Sequence, residues 1–170
     1  LWKEPDHSYR QYIFLKEALR DLDKQLKVIG GNLAVLVGSA IDIFDRLNSQ
    51  YQINTIFSHQ ETWSLWTYNR DKAVKSWAID NKVAWTEIPK NGVIRNLGSR
   101  NGWSRNWYHT MSAPLTSVPH KVKSLKISSD TIPETSHLNL SDEQPISSQR
   151  ATRSAAINTL TSFLSSRGQN

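Results

Sequence analysis

Three short blocks of polar and aromatic residues hold most of the side chains of this chain that could bind a ligand. The blocks are Ser58–Trp63, Trp66–Asp71 and Trp85–Val93. Each falls where a predicted parallel strand runs into its loop, and such loops form the ligand-binding edge of α/β folds. The residues expected to line a cleft at that edge are Gly38, Ser39, Ser58, Gln60 and Glu61.

Each candidate also has an ordinary structural explanation. Gly38 and Ser39 suit a tight turn and a helix N-cap, because Ser-Ala-Ile-Asp is a good helix start. The same pair would hold a phosphate in a stand-alone nucleotide-binding α/β protein. Against that alternative the chain has no glycine-rich fingerprint, since Gly30 and Gly31 precede the predicted strand. Glu61 fits a solvated loop carboxylate equally well.

Metal and thiol chemistry find no support in the composition. The chain has no cysteine, which excludes disulfides and thiolate sites and fits a cytoplasmic protein. Its five histidines lie far apart and none pairs at helical ligand spacing, so we predict no metal site. Because no apolar run approaches the about 20 residues that a membrane helix needs, we expect a soluble protein without membrane contact.

The positive charge of this chain is concentrated in one segment. The formal net charge is +6, and no Asp or Glu occurs between Ile88 and Ser129. The basic residues there are Lys90, Arg95, Arg100, Arg105, Lys121, Lys123 and Lys126. Trp103, Trp107 and Tyr108 interleave with the arginines, a mixture that suits nucleic acid or an interdomain surface. We favour the interdomain surface and expect Arg95 to Tyr108 to pack mainly against a neighbouring domain.

Apolar periodicity predicts alternating helices and strands. A stripe at steps of three and four runs from Tyr12 to Ile29, after a capping-box pattern at Ser8 and Gln11. Further helices are expected at Ile41–Tyr51 and, with Val74 and Trp77 inward, at Tyr68–Asn81. The predicted strands are Leu33–Val37, Ile53–Phe57 and Val83–Ile88. This order is typical of a Rossmann-like parallel sheet flanked by helices.

The pattern stops after residue 114. From Leu115 to about Gln149, Ser, Thr and Pro punctuate a stretch with few apolar residues. An amphipathic stripe then predicts a helix from about Ala151 to Arg167. We therefore expect an α/β domain at 1–114, a flexible linker at 115–150 and the first helix of another domain at 151–170. Since the chain opens on Leu1 without a methionine, we also expect a fragment.

The landmarks of the first 114 residues resemble, in order, those of the photolyase/cryptochrome family. They are the Glu4-Pro5-Asp6 lead-in, the Tyr12-Ile13-Phe14-Leu15 helix, the Ser58-to-Thr62 turn, the helix start from Tyr68 to Val74 and the Asn91-Gly92-Val93-Ile94 turn. The segment from Ala156 to Gly168 is similar to the helix with which family members enter their flavin-binding domain. The chain is thus identified as a partial amino-terminal antenna domain of this family.

The resemblance implies a light-driven function for the parent protein. Reduced FAD, excited by blue light, would pass an electron to a pyrimidine dimer flipped out of DNA, the activity of a deoxyribodipyrimidine photo-lyase. FAD and the residues that bind it would lie beyond Asn170, so no catalytic residue is expected in this chain. Its implied part is light collection through a folate or deazaflavin chromophore and support of the interdomain surface. The implied partners are damaged DNA and the chain's own FAD-binding domain, in a monomer.

Two questions stay open at the level of sequence. Where folate-binding relatives carry an acidic residue, this chain has Asn69 followed by Arg70, so the identity of the chromophore is not fixed. A cryptochrome-type blue-light sensor without repair activity would share this domain, and nothing in these residues separates the sensor from the enzyme.

The family resemblance also predicts an incomplete sheet. Family members have a doubly wound sheet of order 3-2-1-4-5, and this chain would keep only the last three strands. We therefore predict that Ile53–Phe57 pairs in parallel with Val83–Ile88. Leu33–Val37 is expected to stand apart from them or to slide in beside Ile53.

Overall fold

The computed structural model describes residues 2, 4, 7–140 and 149–168. Its helices are α1 (Tyr9–Val28), α2 (Ala40–Tyr51), α3 (Leu65–Asp80), α4 (Trp103–Met111) and α5 (Arg153–Ser162), with a π-helical turn at Phe163–Arg167 after α5. The strands are β1 (Thr55–His59) and β2 (Ala84–Ile88), and a 3₁₀ turn covers Thr135–Leu138. Most of the predicted lead-in at 4–6 and part of the predicted linker, 141–148, lie outside the described residues.

The chain forms two compact units whose bounds differ from the expected division. One unit is Gly38–Ser117, and the other combines Leu1–Val37 with Val118–Asn170. Residues 118–140 thus belong with the start of the chain, although we expected a flexible linker over 115–150. They contain no helix or strand beyond the 3₁₀ turn. The boundaries 1–114, 115–150 and 151–170 stay a prediction for the parent protein.

A parallel pair of strands organises the unit Gly38–Ser117. β1 and β2 pair in parallel from Thr55 opposite Ala84 to His59 opposite Ile88, as predicted. α3 connects them, which is the arrangement that parallel neighbours require. Trp77, Ala78 and Val83 form the buried centre of the unit. The residues packed around that centre are Ile41, Phe44, Ile53, Ile56 and Trp85. The α/β fold class is therefore confirmed.

Local sequence sets the start and the inward face of α3. The Ser64 side chain caps the helix by accepting a hydrogen bond from Thr67 N–H. In return the Thr67 hydroxyl accepts a hydrogen bond from Ser64 N–H. The buried positions of the helix follow helical spacing: Thr67, Asp71, Val74, Trp77 and Ala78. Val74 and Trp77 face inward as predicted, and the carboxylate of Asp71 lies on the same side of the helix.

The other unit is built on α1. The predicted capping box is present, because Gln11 N–H donates to Ser8 Oγ at 3.3 Å and Ser8 N–H donates to Gln11 Oε1 at 2.8 Å. Within the apolar stripe Tyr12 is the buried residue, and its hydroxyl donates to the Pro133 carbonyl at 2.6 Å. The segment predicted to be a linker thus contributes a backbone partner to the first helix.

Leu33–Val37 is not a strand, and the sheet of the described residues has two strands instead of three. Side chains satisfy amides of this segment: Val35 N–H donates to Ser129 Oγ at 3.0 Å and Val37 N–H to Asp130 Oδ2 at 2.9 Å. The Val35 carbonyl accepts from Asp130 N–H at 2.8 Å. A β-ladder forms when successive backbone groups of one strand bond to backbone groups of a neighbouring strand. The amides of Val35 and Val37 bond to side chains instead, so this segment forms no ladder. The segment therefore does not pair with β1 or β2, in agreement with the first of the two outcomes predicted.

The predicted helix near the end of the chain is present as α5. Acidic side chains of α1 hold its start, since Ala151 N–H donates to Glu17 Oε2 at 2.9 Å and Arg153 N–H to Asp21 Oδ2 at 3.0 Å. Carboxylates are favourable partners for the free amides of a helix N-terminus. Leu160 of α5 and Leu164 of the π-helical turn that follows remain largely exposed.

Candidate ligand-binding site

A cavity of about 340 Å³ opens at the carboxyl ends of β1 and β2 in the unit Gly38–Ser117. Three side-chain amides, two indoles, a hydroxyl, an arginine and short apolar groups line it. The lining residues are Gln60, Pro89, Asn91, Gly92, Val93, Ile94, Arg95, Trp103, Asn106, Trp107 and Thr110. Its size and its mixture of aromatic walls with a few polar groups are those of a small-molecule site.

The loop after β2 and the helix α4 build the aromatic wall together. Trp103 Nε1 donates to the Gly92 carbonyl at 2.8 Å. The indole of Trp107 packs against Gly92 so closely that there is no room for a side chain at position 92. A Cβ atom there would lie 2.7 Å from Trp107 Nε1. Glycine at this position therefore lets the loop backbone meet the ring. Trp103 and Trp107 remain 37% and 36% exposed.

Glu61 closes the turn after β1 instead of pointing into the cavity. Its Oε1 accepts from Thr62 N–H at 2.8 Å, from Trp63 N–H at 3.2 Å and from Lys90 Nζ at 3.4 Å. Burial raises the pKa of this carboxyl, but the Thr62 amide and the Lys90 ammonium outweigh burial and leave the pKa below its ordinary value. Glu61 is thus a structural carboxylate that ties the two loops together.

Arg95 lines the cavity and lies at the centre of a half-buried ionic network. Its guanidinium contacts Asp71 Oδ2 at 2.7 Å and Glu87 Oε1 at 3.0 Å, and its Nε donates to the Glu61 carbonyl at 2.6 Å. Burial lowers the pKa of Arg95, whereas the two carboxylates raise it and prevail. Arg70 pairs with the other Asp71 oxygen at 2.8 Å. These carboxylates balance the charge of Arg95.

The five predicted cleft residues have different positions in the structure. Gln60 lines the cavity, and its N–H donates to the Ile88 carbonyl at 2.9 Å, which extends the strand pairing by one residue. Ser58 lies in β1, where its hydroxyl accepts from Trp85 Nε1 at 3.0 Å. Ser39 is the N-cap residue of α2, and neither it nor Gly38 belongs to the cavity lining. The cleft assignment of these residues stays a prediction.

Sequence reasoning missed Arg95 and Asp71 as a pair. We expected Arg95 to face a neighbouring domain, but its partners lie within its own unit. One signal was available: Asp71 occupies the same helical side as Val74 and Ala78, and a carboxylate on an inward face requires a cationic partner. The cation that pairs with Asp71 comes from the loop after β2. A loop has no regular side-chain spacing, so the sequence pattern does not identify that cation.

The fold is that of an α/β domain with a cavity at the carboxyl ends of its parallel strands. A family model described as DNA photolyase matches residues 2–112 of this chain. The chain therefore belongs to the DNA photolyase family, as the sequence resemblance predicted.

Individual relatives agree with the family. The chain is 38% identical over 69 residues to Cryptochrome-1 of Aedes aegypti and 35% identical over 67 residues to Cryptochrome-1 of Anopheles gambiae. These matches cover 41% and 39% of this chain and 12% of each cryptochrome. A bacterial class III photolyase from Agrobacterium tumefaciens shares the fold with a TM-score of 0.66 at 17% identity, over 95% of this chain and 37% of that one.

Two further observations concern the described part of the chain. None of its helices is long and apolar enough to cross a membrane. Its His, Asp and Glu side chains form no group of three that could hold a metal ion.

Proposed function

We propose that this chain is the light-harvesting amino-terminal part of a photolyase-like flavoprotein, with a chromophore bound in the cavity between the loop after β2 and α4. The observation that carries the proposal is the cavity of about 340 Å³ at the strand ends of a member of the DNA photolyase family. The parent protein would repair pyrimidine dimers in DNA, bind FAD in a separate domain and act as a cytoplasmic monomer.

The lining residues fit a planar heterocyclic chromophore. Trp103 and Trp107 offer indoles to a flat ring, and the amides of Gln60, Asn91 and Asn106 offer donors and acceptors for its polar edge. Arg95 has both partner carboxylates in place, so the site suits an uncharged ring system. When bound, a folate or deazaflavin chromophore would supply light absorption, and these residues would hold and orient it.

Binding titrations test the chromophore site. A reduced folate, a deazaflavin and ATP are added separately to the chain, with tryptophan fluorescence and ligand absorbance as the signals. We expect a chromophore to bind and Trp107→Ala to weaken its binding about fivefold or more, because a lost stacking ring costs on the order of 1–3 kcal/mol. Trp66→Ala, outside the cavity, serves as the matched control. Binding of ATP alone would favour the nucleotide-binding alternative instead.

A second candidate function is blue-light sensing without repair. The observation that favours it is the similarity to two mosquito proteins named Cryptochrome-1. Illumination of the full-length parent with an oligonucleotide that contains a pyrimidine dimer separates the two functions. Loss of the dimer under blue light but not in darkness supports repair, whereas photoreduction of the flavin without loss of the dimer supports a sensor.

A further inference from the structure

The loop between β2 and α4 has to be held in place before the cavity can exist. Residues 89 and 91–95 supply six of the eleven residues that line the cavity, from a segment without helix or strand. Within this loop, Val93 N–H donates to Asn91 Oδ1 at 3.0 Å, a bond between near neighbours that shapes a turn but does not attach it to the fold. Lys90 and Asn91 contact the turn after β1, through Glu61 Oε1 at 3.4 Å and Thr62 Oγ1 at 3.5 Å. An attachment to α3 and β2 must come from elsewhere.

Arg95 supplies that attachment at three points. Its contacts reach α3 through Asp71, β2 through Glu87 and the turn after β1 through the Glu61 carbonyl. The side chain of Arg95 is 19% exposed and that of Asp71 is 10% exposed, so water screens this pair only weakly. The Tyr68 ring lies 5.6 Å from the guanidinium carbon. A planar guanidinium with five donors can hold several acceptors at once, which the single ammonium of lysine does not reproduce.

The loop in turn positions both tryptophans. Gly92, three residues before Arg95, accepts the Trp103 indole N–H and provides the space that the Trp107 ring fills. A shift of the loop would break the first contact and open a gap beside the second ring. The placement of the aromatic wall therefore depends on the anchor at Arg95.

We propose that Arg95 is a positioning residue for the ligand cavity: its ion pairs with Asp71 and Glu87 fix the loop 89–95 and thereby set the positions of Trp103 and Trp107. The positioning role rests on the proposed function only in so far as the cavity is the ligand site.

Fluorine NMR of the 170-residue chain labelled with 5-fluorotryptophan tests this role. The chain has seven tryptophans, and Trp→Phe variants assign the signals of Trp103, Trp107, Trp77 and Trp85. In Arg95→Gln we expect the Trp103 and Trp107 signals to shift or broaden while those of Trp77 and Trp85, in and against the core, stay in place. A merely destabilising change would move all the signals together. Arg100→Gln, in the same basic segment, is the matched control and should leave the spectrum unchanged.

Two conservative variants keep the test decisive if Arg95→Gln does not fold. Glu87→Gln removes one carboxylate charge and should shift the same two signals by a smaller amount. Arg95→Lys should restore them only in part. Unchanged Trp103 and Trp107 signals in Glu87→Gln together with either Arg95 variant would overturn the proposal.

Ligand titration separates this proposal from the proposed function. If the two signals respond and chromophore affinity falls at least about tenfold in Arg95→Gln, both proposals hold. If the signals respond but no chromophore binds the unmodified chain, the proposed function fails while the role of Arg95 in building the cavity stands.

Discussion

In the unit Gly38–Ser117, β1, α3 and β2 follow one another along the chain and meet at a buried centre of Trp77, Ala78 and Val83. The other unit joins segments that are far apart in sequence. Tyr12 bonds to Pro133 across 121 positions, and Glu17 bonds to Ala151 across 134. Among the described residues its buried apolar side chains are Tyr12 and Ala151. Apolar packing stabilises the unit Gly38–Ser117, which we call the first unit. Individual hydrogen bonds between distant segments hold the other unit, which we call the second.

The difference bears on which unit opens first. Closing a long loop has an entropic cost that contacts must offset, and a unit with few buried apolar side chains has less to offset it with. Regions of low contact density and exposed hydrogen bonds open at lower free energy. We therefore expect amide exchange to be faster around Val122 and Asp130 than around β1 and β2.

The largest effect is expected from the core of the first unit. Trp77→Ala removes a side chain that is 6% exposed, stacks on Phe44 at 5.2 Å and donates to Asp45 Oδ1 at 2.6 Å. Its loss should lower the free energy of unfolding by about 3–5 kcal/mol, measured by urea denaturation. Trp63→Ala, at a site that is 55% exposed, is the control and should cost far less. Equal losses in the two variants would contradict a core centred on Trp77.

The second unit should depend on one hydroxyl. Tyr12→Phe keeps the ring but leaves the half-buried Pro133 carbonyl without its donor, which should cost about 1–3 kcal/mol. Hydrogen exchange should show the loss at Val122 and Asp130 and not in β1. Tyr108→Phe, at a site that is 67% exposed, is the control. Equal exchange changes in both units would show that the two open together and would remove the contrast between them.

Helix capping gives a matched pair within the first unit. Ser64 caps α3 through its side chain, whereas Ser39 makes no side-chain cap bond to α2. Ser64→Ala should therefore destabilise the chain by about 1 kcal/mol and Ser39→Ala by clearly less, as measured by thermal or urea unfolding. An equal or larger loss at Ser39 would indicate that this residue has a role beyond the start of α2.

The smallest predicted effect is a dependence on pH. The folded pKa of Glu61 lies below its ordinary value of 4.5, so its carboxylate stabilises the fold above pH 4.5 and this contribution disappears as the pH falls through the folded pKa. Thermal unfolding at pH 7 and pH 3.5 should show that acidification lowers the stability of Glu61→Gln less than that of the unmodified chain. The difference should be less than about 1 kcal/mol. If acidification lowered the stability of both proteins equally, protonation of Glu61 would not be coupled to unfolding, which would contradict the prediction.

Sequence patterns predicted the parts of the fold that depend on local periodicity. The capping box at Ser8 and the inward side of α3 at Val74 and Trp77 were predicted correctly from local patterns, and the parallel pairing of β1 with β2 was predicted correctly from the family resemblance. For α3 the pattern and the structure share one cause, because apolar spacing of 3.6 decides which side of the helix is buried.

The prediction of a third strand rested on an apolar run and on the family resemblance, and neither of them indicates which groups bond to the backbone of that run. Leu33–Val37 is apolar, yet Ser129 and Asp130 satisfy its amides, and no local pattern links residues more than 90 positions apart. The anchor at Arg95 was missed for the same reason. Its three partners lie on α3, β2 and the turn after β1, so their convergence exists only after the unit has folded.

The two-stranded sheet has a consequence for how the chain behaves in concentrated solution. Among the described residues β1 and β2 pair only with each other, so each strand keeps one side on which backbone N–H and C=O groups face no further strand. Such edges are templates for pairing with strands of other molecules, the more so where apolar side chains such as Phe57 stand exposed beside them. The isolated chain should therefore associate as its concentration rises, by addition of strands from neighbouring molecules.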